Sequence, residues 1–520
     1  MSAFALLTPL ALVLALAPAR DAPIEDDPPP SPSPIDRAPR TPSATEGPSP
    51  DYVDPLVVAL TPVKGGLTAD EVARHALKSA PTIGVRSAEL QQAAARVDMT
   101  MVGYLPTLQA AFSYTRNNKV DVNLGGGGSL VGAATPGPLT VGPCPGGQGT
   151  CVVDSAGIPV GAASLAFSYP IHFFSLSSSL SVPISDYILS LVPARRSSKA
   201  SVEAARLARE AEIIKVEADA RIAYYNWLRT VAAVVVAEES VERSKARLAD
   251  AQVSFETGVA SKADVLRLDA LVASTESTTV QARAARDLAA RNLALMMAID
   301  AQTFAVGEDV LTPPREPAKI SDLDALITEA QGQRLELRSL QQNDRALAEG
   351  IKIYRAGYYP RLDAVGDVLY ANPNQRYFPL QNKWNPSWSA GARLSYTLGQ
   401  AMRARAQIKD AKASRQGLSH QQEQLRRGIA LEVTQAFLDR QKALAAIELN
   451  GRAVRSSEEA YRVATDLFQA GTATTTDIIE AELSRVNATL QEVNARIDLQ
   501  VATLKLLYST GRLEPIEKPT

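Results

Sequence analysis

The chain has 520 residues, with 54 Lys+Arg set against 56 Asp+Glu, a formal charge of −2, 46% hydrophobic residues and only 5% aromatic ones. The near-neutral balance excludes a polybasic nucleic-acid-binding protein, and a mean hydropathy of −0.07 with no run of 18 apolar residues past the N-terminus excludes a bundle of transmembrane helices. Three His and two Cys are too few for a histidine-rich metal centre or a disulfide-dense scaffold, so no metal or other cofactor is expected.

The chain begins MSAFALLTPLALVLALAPAR, an apolar run from Phe4 to Leu16 followed by the small-x-small pattern Ala17-Pro18-Ala19. Residues 1–19 therefore read as a cleaved export signal, although no basic residue precedes the apolar run. Residues 20–66 form a Pro-rich leader; ten Pro between 21 and 50, without apolar periodicity, predict disorder. Near Leu67 the run L-T-A-D-E starts a helix: Thr68 can cap it, and Asp70 and Glu71 suit its positive N-terminal end. Cys144 and Cys151 lie in GPCPGGQGTC, a spacing without zinc-site character, and in an exported chain a disulfide between them is expected, stabilising by roughly 2–3 kcal/mol. Leu165, Phe167, Tyr169, Ile171 and Phe173 alternate as in a strand, which Pro170 can kink or demote.

No Pro occurs between 194 and 312 or between 387 and 514, and both stretches are rich in Ala, Leu, Arg, Glu and Gln. Each predicts long helix. Within the second, Ile479, Leu483, Val486, Leu490, Val493, Ile497, Leu504 and Leu507 follow a 4-3-4-3 spacing that predicts coiled-coil packing along a partner helix. Just before it, Trp388, Ala390, Ala392, Leu394, Tyr396 and Leu398 alternate with small and polar residues, the pattern of a two-faced strand.

These elements occur twice in the same order. GYLPTL at 103–108 matches GYYPRL at 357–362, SVPIS at 181–185 corresponds to SYTLG at 395–399, and FETGVASKADVL at 255–266 matches FQAGTATTTDII at 468–479. The offsets of 254, 214 and 213 between these landmarks give the first copy about 40 extra residues, which include GGGG at 125–128 and both Cys. Such an insertion belongs at an exposed hairpin tip. The copies are assigned to 67–312 and 313–513, with a tail at 514–520. Their outgoing helices, near 187–255 and 400–468, would each be on the order of 100 Å long. Seventeen of the 28 aromatic residues fall within 104–187 and 354–398, in and around the strands, as in a transmembrane β-barrel. Four strands cannot cross a bilayer with open edges, so subunits must pool them.

The duplicated order, the G-Y-x-P-x-L lead-in and the F-x-x-G-x-x-[ST]-x-x-D-[VI]-[LI] turn of each copy resemble the TolC family of outer-membrane efflux proteins over 67–513. The resemblance implies a mainly α fold with a β portion: long antiparallel coiled-coil helices forming an α-helical tunnel, plus four strands per chain of a trimeric 12-stranded barrel. It implies a homotrimer in the outer membrane of a Gram-negative bacterium, in contact with its lipid, with the helices in the periplasm. The implied role is the exit duct for drugs or proteins, fed by a periplasmic adaptor and an inner-membrane transporter, with no nucleic acid bound. The turn residues Gly258, Val259, Ala260, Ser261, Asp264 and Gly471, Thr472, Ala473, Thr474 then map to the adaptor-docking tip.

Read from the residues alone, Gly258 and Gly471 can end the outgoing helices left-handed, and Ser261 with Asp264 and Thr474 with Asp477 can cap the returning ones. Asp477 and Glu480 are three apart on one helix face. A trimer turning that face inward would carry six carboxylates in a cation-binding constriction. The family's best-known member is acidic at both positions but has an Arg where this chain has Ala473, so its latch cannot be copied. No catalytic motif is present, and His75, His172 and His420 lie far apart. The competing class is an exported coiled-coil scaffold or adaptor without a pore, which leaves the duplicated strand pairs unexplained.

Overall fold

The computed structural model describes residues 55–119, 121–123, 130–132, 135–144, 146–163, 166–168, 170–258, 260–300, 303–310, 322–378 and 380–516. The export signal, most of the leader, the GGGG run, Leu165, Tyr169, Val259, the boundary at 312 and the last four residues of the tail lie outside them.

Two helices run nearly the full length of the helical part: α5 (Val192–Glu256) and α9 (Leu398–Gln469). Their returning partners α6 (Lys262–Met297) and α10 (Thr475–Thr510) are half as long. Beyond the point where those stop, α3 (Pro81–Val102) and α8 (Leu335–Arg355) take the same places beside α5 and α9. Each half of the layer thus has four helices, in the order α6–α5–α10–α9 towards the Gly turns and α3–α5–α8–α9 towards the strands. The seams are pinned by polar bonds: Ser339 Oγ donates to the Ala204 carbonyl at 2.8 Å, Ser197 Oγ to that of Ala346 at 2.9 Å, and Arg415 clasps Asp344 at 2.6 and 2.8 Å.

Where the short helices meet, a core forms around Tyr224, Trp227 and Leu228 of α5, Leu293 of α6 and Ile497 of α10, all at most 2% exposed. It is wrapped by α1 (Pro55–Leu60) and by α2 (Ala69–Ser79), which Thr68 and Glu71 start with a capping box. α7 (Leu323–Gln333) covers the equivalent face of α9 through Leu326, Ile429 and Val433. One expectation is corrected here: residues 55–60 do not belong to a disordered leader. The PLVVAL segment is helical, and Leu56 and Leu60 are buried because the waist of the bundle offers them an apolar groove.

The heptad on α10 is also redrawn. Val486, Leu490, Val493 and Ile497 pack into the core shared with α5, and Ile479 joins Ala251, Leu268 and Leu271 of the first hairpin. Leu483 and Leu507 are exposed instead. The face towards α9 carries Glu482 and Arg485, whose ion pair at 2.9 Å is almost wholly buried. A helix between two neighbours needs two seams, and a single 4-3 repeat describes one.

β1 (Thr107–Arg116), β8 (His172–Val182), β9 (Arg361–Asn372) and β10 (Asn385–Ser395) form one antiparallel sheet in that order. The register sorts its residues into two faces. Leu108, Phe112 and Tyr114 oppose Leu180, Leu176 and Phe174; on the same face Leu180 lies beside Gly366 and Leu176 beside Tyr370, with Val368 between them opposite Ser178, and then come Ala390, Pro386 and Trp388. The other face holds Gln109, Ser113, Ser175, Ser177, Ser179, Asp367, Ser387, Ser389 and Arg393. At one end Tyr114, Phe174, Trp384 and Tyr370 form a chain of rings 4.9–6.2 Å apart, and at the other Tyr104 stacks on Tyr187 at 5.9 Å. Strands of 10–12 residues between two aromatic girdles fit the apolar band of about 25 Å of an outer-membrane barrel.

The strand expected from Leu165 to Phe173 is interrupted, with Ala166–Ser168 in a short strand before Pro170 and Phe173 in the long one after it. Pro170 offers no N–H to the ladder, and the long strand β8 begins only at His172. Likewise Tyr396 and Leu398 lie past the end of β10. Between β1 and β8 the chain forms one nested hairpin: β2 (Asp121–Asn123) pairs with β7 (Ala166–Ser168), β3 (Leu130–Gly132) with β6 (Gly161–Ala163), and β4 (Thr140–Pro143) with β5 (Thr150–Val153).

The face assignment makes adjacent residues of β8 opposite in tolerance. Leu176→Arg, on the apolar face near mid-strand, is expected to cost about 2–4 kcal/mol and to deplete the heat-modifiable oligomer extracted from outer membranes. Ser177→Arg, on the polar face, is expected to leave that oligomer intact. Equal loss from both substitutions contradicts the assignment.

Candidate functional site: the paired tip turns

The two Gly turns lie at the end of the helical layer remote from the sheet. In the first, Gly258 takes φ +77°, and its N–H donates to the Phe255 carbonyl at 3.0 Å while Ala260 N–H reaches Ser254 O at 3.1 Å. In the second, Gly471 takes φ +73°; its N–H donates to Phe468 O at 2.9 Å, and the Thr472 and Ala473 N–H groups both reach Leu467 O. Nothing lies within 4 Å of where a Cβ would stand at either Gly, so the left-handed backbone alone is what asks for glycine.

Both returning helices start with a capping box. Ser261 Oγ accepts the Asp264 N–H at 3.2 Å, and Asp264 Oδ2 accepts the Ser261 N–H and hydroxyl at 3.1 and 2.6 Å. Thr474 and Asp477 repeat this, with the Asp477 carboxylate taking both Thr474 donors at 2.7 Å. Those donors hold the Asp477 carboxyl below the usual carboxylate range. It is therefore ionised at neutral pH, and both Asp477 and Glu480 are exposed in the first turns of α10. Ala473 is half-buried.

The two Asp residues, equivalent in sequence, differ in space. The Thr475 hydroxyl, 1% exposed at the start of α10, donates to Asp264 Oδ1 at 2.9 Å, tying the second turn to the first. Arg267 stands 3.6 Å from the same oxygen. The hydroxyl of Ser261, then that of Thr475, keep the Asp264 carboxyl below its ordinary value. Nothing in the sequence distinguishes Thr475 from its neighbours. Only the apposition of the hairpins makes it a partner.

Behind the turns a second contact joins the hairpins. The ring of Tyr461 on α9 is flanked by Arg243 and Arg247 of α5 at 5.8 and 6.0 Å and by Arg485 of α10 at 5.6 Å. Arg247 Nε also donates to the Tyr461 hydroxyl at 3.4 Å. Three guanidinium groups around one buried ring give a cation–π clamp, with Glu482 neutralising the buried Arg485. Sequence reasoning missed this cluster because its members are scattered over three helices. At the opposite end of the molecule, Cys144 and Cys151 are joined by a disulfide with Cα atoms 5.1 Å apart.

Set beside known proteins, the chain aligns with outer membrane protein TolC of Salmonella enteritidis at 23% identity over 196 residues, 37% of this chain and 40% of that one. The alignment thus spans well under two thirds of that relative. Among solved structures, CusC superposes with a TM-score of 0.67 at 18% identity, covering 85% of this chain and 92% of CusC. The CmeC outer membrane channel of Campylobacter jejuni superposes with a TM-score of 0.66 at 16% identity, covering 92% of this chain and 96% of CmeC. At such identities the likeness concerns the fold alone, a long helical layer that carries a four-stranded antiparallel sheet at one end. The family model described as outer membrane efflux protein matches residues 158–298 and 326–512, one stretch in each copy of the duplication. The chain belongs to the outer membrane efflux protein family.

Proposed function

We propose that the protein is the outer-membrane duct of a tripartite efflux or type I secretion system. It passes small molecules or proteins outward from an inner-membrane transporter and its periplasmic adaptor. The observation that carries this reading is a sheet with one apolar and one Ser-rich face, set on the end of a helical layer whose longest member, 72 residues, extends about 110 Å. A scaffold without a pore has no use for such a sheet. The polar face offers hydroxyls and a few neutralised charges such as the Arg376–Asp367 pair, which suits a water-filled passage for varied cargo more than a selective site.

The tip turns are proposed as the adaptor-docking surface, formed by Gly258, Val259, Ala260, Ser261 and Asp264 with Gly471, Thr472, Ala473 and Thr474; Val259 lies outside the described residues. Asp477 and Glu480 are proposed as the constriction, since both are exposed at the start of α10 and Asp477 stays ionised. The Asp264–Thr475 bond holds the two turns together in this chain, in which Ala473 has no charge to offer.

Two outcomes follow for the duct. The full-length protein is expected in the outer membrane as a heat-modifiable trimer that detergent extracts and salt washing does not release. In planar bilayers, Asp477→Asn with Glu480→Gln is expected to relieve block by divalent cations and to change single-channel conductance. Release by salt, or unchanged conductance and block, contradicts the respective proposals.

A further outcome concerns the tip. Removing the hydroxyl with Thr475→Val is expected to cost about 1 kcal/mol, raising tryptic cleavage after the exposed Lys262 roughly fivefold. Asp264→Asn is expected to act non-additively with it. Because the Asp264 pKa is depressed on folding, its contribution is complete above the ordinary Asp range near pH 4 and is lost only as pH falls through the lowered value. Over pH 5–8 the effect of Thr475→Val should therefore be constant. A strong pH dependence in that range would show that another group holds the tip.

A further inference from the structure

The inserted hairpin between β1 and β8 lies outside both the four-stranded sheet and the helical layer. It continues the ladder of those strands, through the Asn117 N–H to Ile171 carbonyl bond at 2.8 Å, into the three nested ribbons and ends at the disulfide. It therefore projects from the sheet at the end opposite the helices, the outer side of the membrane for this family. The second hairpin closes much sooner, over 373–384.

The outermost ribbon is built as a rigid unit. The disulfide staples the turn, and Asp154, 2% exposed, accepts the N–H groups of Thr135, Ala156 and Ile158 and the Thr135 hydroxyl at 2.7–3.1 Å. These bonds hold its carboxyl below the usual range, the Thr135 hydroxyl first among them. Val153 is buried on one face. The opposite face is open and apolar. Val141 and Val152 stand across from each other, 73% and 44% exposed; Leu139 lies two residues before Val141, and the Ile158 carbonyl accepts the Asp154 N–H two residues after Val152. Both are also exposed. A two-stranded ribbon this small does not ordinarily spend a staple and a caged carboxylate on presenting valines to water.

We propose that this face is covered by its own symmetry copies: the three tips of a trimer pack together over the outer mouth of the barrel and form a cap that narrows the exit. Three observations select this occupant. First, the ribbon grows from β1, the edge strand at which the barrel closes onto the next protomer, so it stands at an existing subunit boundary. Second, the copies are within reach. Twelve strands spaced about 4.8 Å apart and tilted about 40° enclose a barrel of about 12 Å radius, whereas the 25 residues from Arg116 to Val141 can extend up to roughly 80 Å. Third, from Val120 to Ile171 the only charged residues are Asp121 and the caged Asp154, so three copies meet without repulsion while the phosphates of the lipid surface find no Lys or Arg to bind.

The proposal rests on the trimeric channel reading, and the experiment separates the two. Full-length trimers carrying photoreactive benzoylphenylalanine in place of Val141 are irradiated, and the conductance of wild type is compared with that of Val141→Asp combined with Val152→Asp, exposed positions whose substitution leaves the fold intact. Expected are covalent dimers and trimers linked through residue 141 and a conductance raised about twofold or more in the double variant. Wild-type trimers that conduct, but that crosslink at 141 only to lipid or within one chain and match the double variant in conductance, overturn the cap and leave the duct standing. A full-length protein that forms no trimer and no channel overturns both.

Discussion

A peptide group facing hydrocarbon without a hydrogen-bond partner costs several kcal/mol, and this fixes the architecture more firmly than any side-chain contact. β1 and β10 are the edges of a four-stranded sheet whose apolar face carries Leu108, Phe112, Trp388 and Leu394, all exposed in the single chain. Because the strands alternate in direction and are even in number, β10 of one chain runs antiparallel to β1 of the next. Copies can therefore close the ladder without a reversed strand. The helical layer poses the same problem in water: α6 and α9 are its outer members towards the tip, and they expose Val280, Leu288 and Leu295 on one and Leu431 and Leu438 on the other. Sheet and helices are thus open at corresponding edges, and a single rotation about one axis satisfies both.

The length of the helical layer comes from an economical use of the duplication. α5 and α9 are continuous, while α3 and α8 above and α6 and α10 below divide the other two places between them. The joints fall at the waist, where α1, α2 and α7 fill the gaps and the largest buried side chains collect. The tip has the opposite character. Behind its turns a small cluster of Ala251, Leu268, Leu271 and Ile479 unites the hairpins, supplemented by the Asp264–Thr475 bond and the Tyr461 clamp. Apolar burial makes the waist permanent. At the tip a few polar bonds, each worth about 1 kcal/mol, supplement a much smaller apolar contact.

The repeat was legible in the sequence because its marks are local. Gly258 and Gly471 need left-handed backbone, Ser261 and Thr474 cap at fixed offsets, and missing prolines delimit α5 and α9. β8 was hard to read for a physical reason: a barrel strand shows lipid only every second residue, and Ser175, Ser177, Ser178, Ser179 and Ser181 dilute the alternation left by Phe174, Leu176 and Leu180. PLVVAL at 55–60 was hidden by the Pro-rich segment before it. Thr475, Tyr461 and the buried Glu482–Arg485 pair acquire their roles only when separate helices meet, and no local pattern records that.

The central claim is that β1 and β10 of different chains complete one continuous barrel. Disulfide scanning in outer membranes tests it most directly, with single Cys placed along Thr107–Arg116 paired against single Cys along Asn385–Ser395. Covalent three-chain rings are expected for pairs in one antiparallel register, alternating along the strands with period two. Crosslinks confined within single chains, or absent at every register, would contradict it.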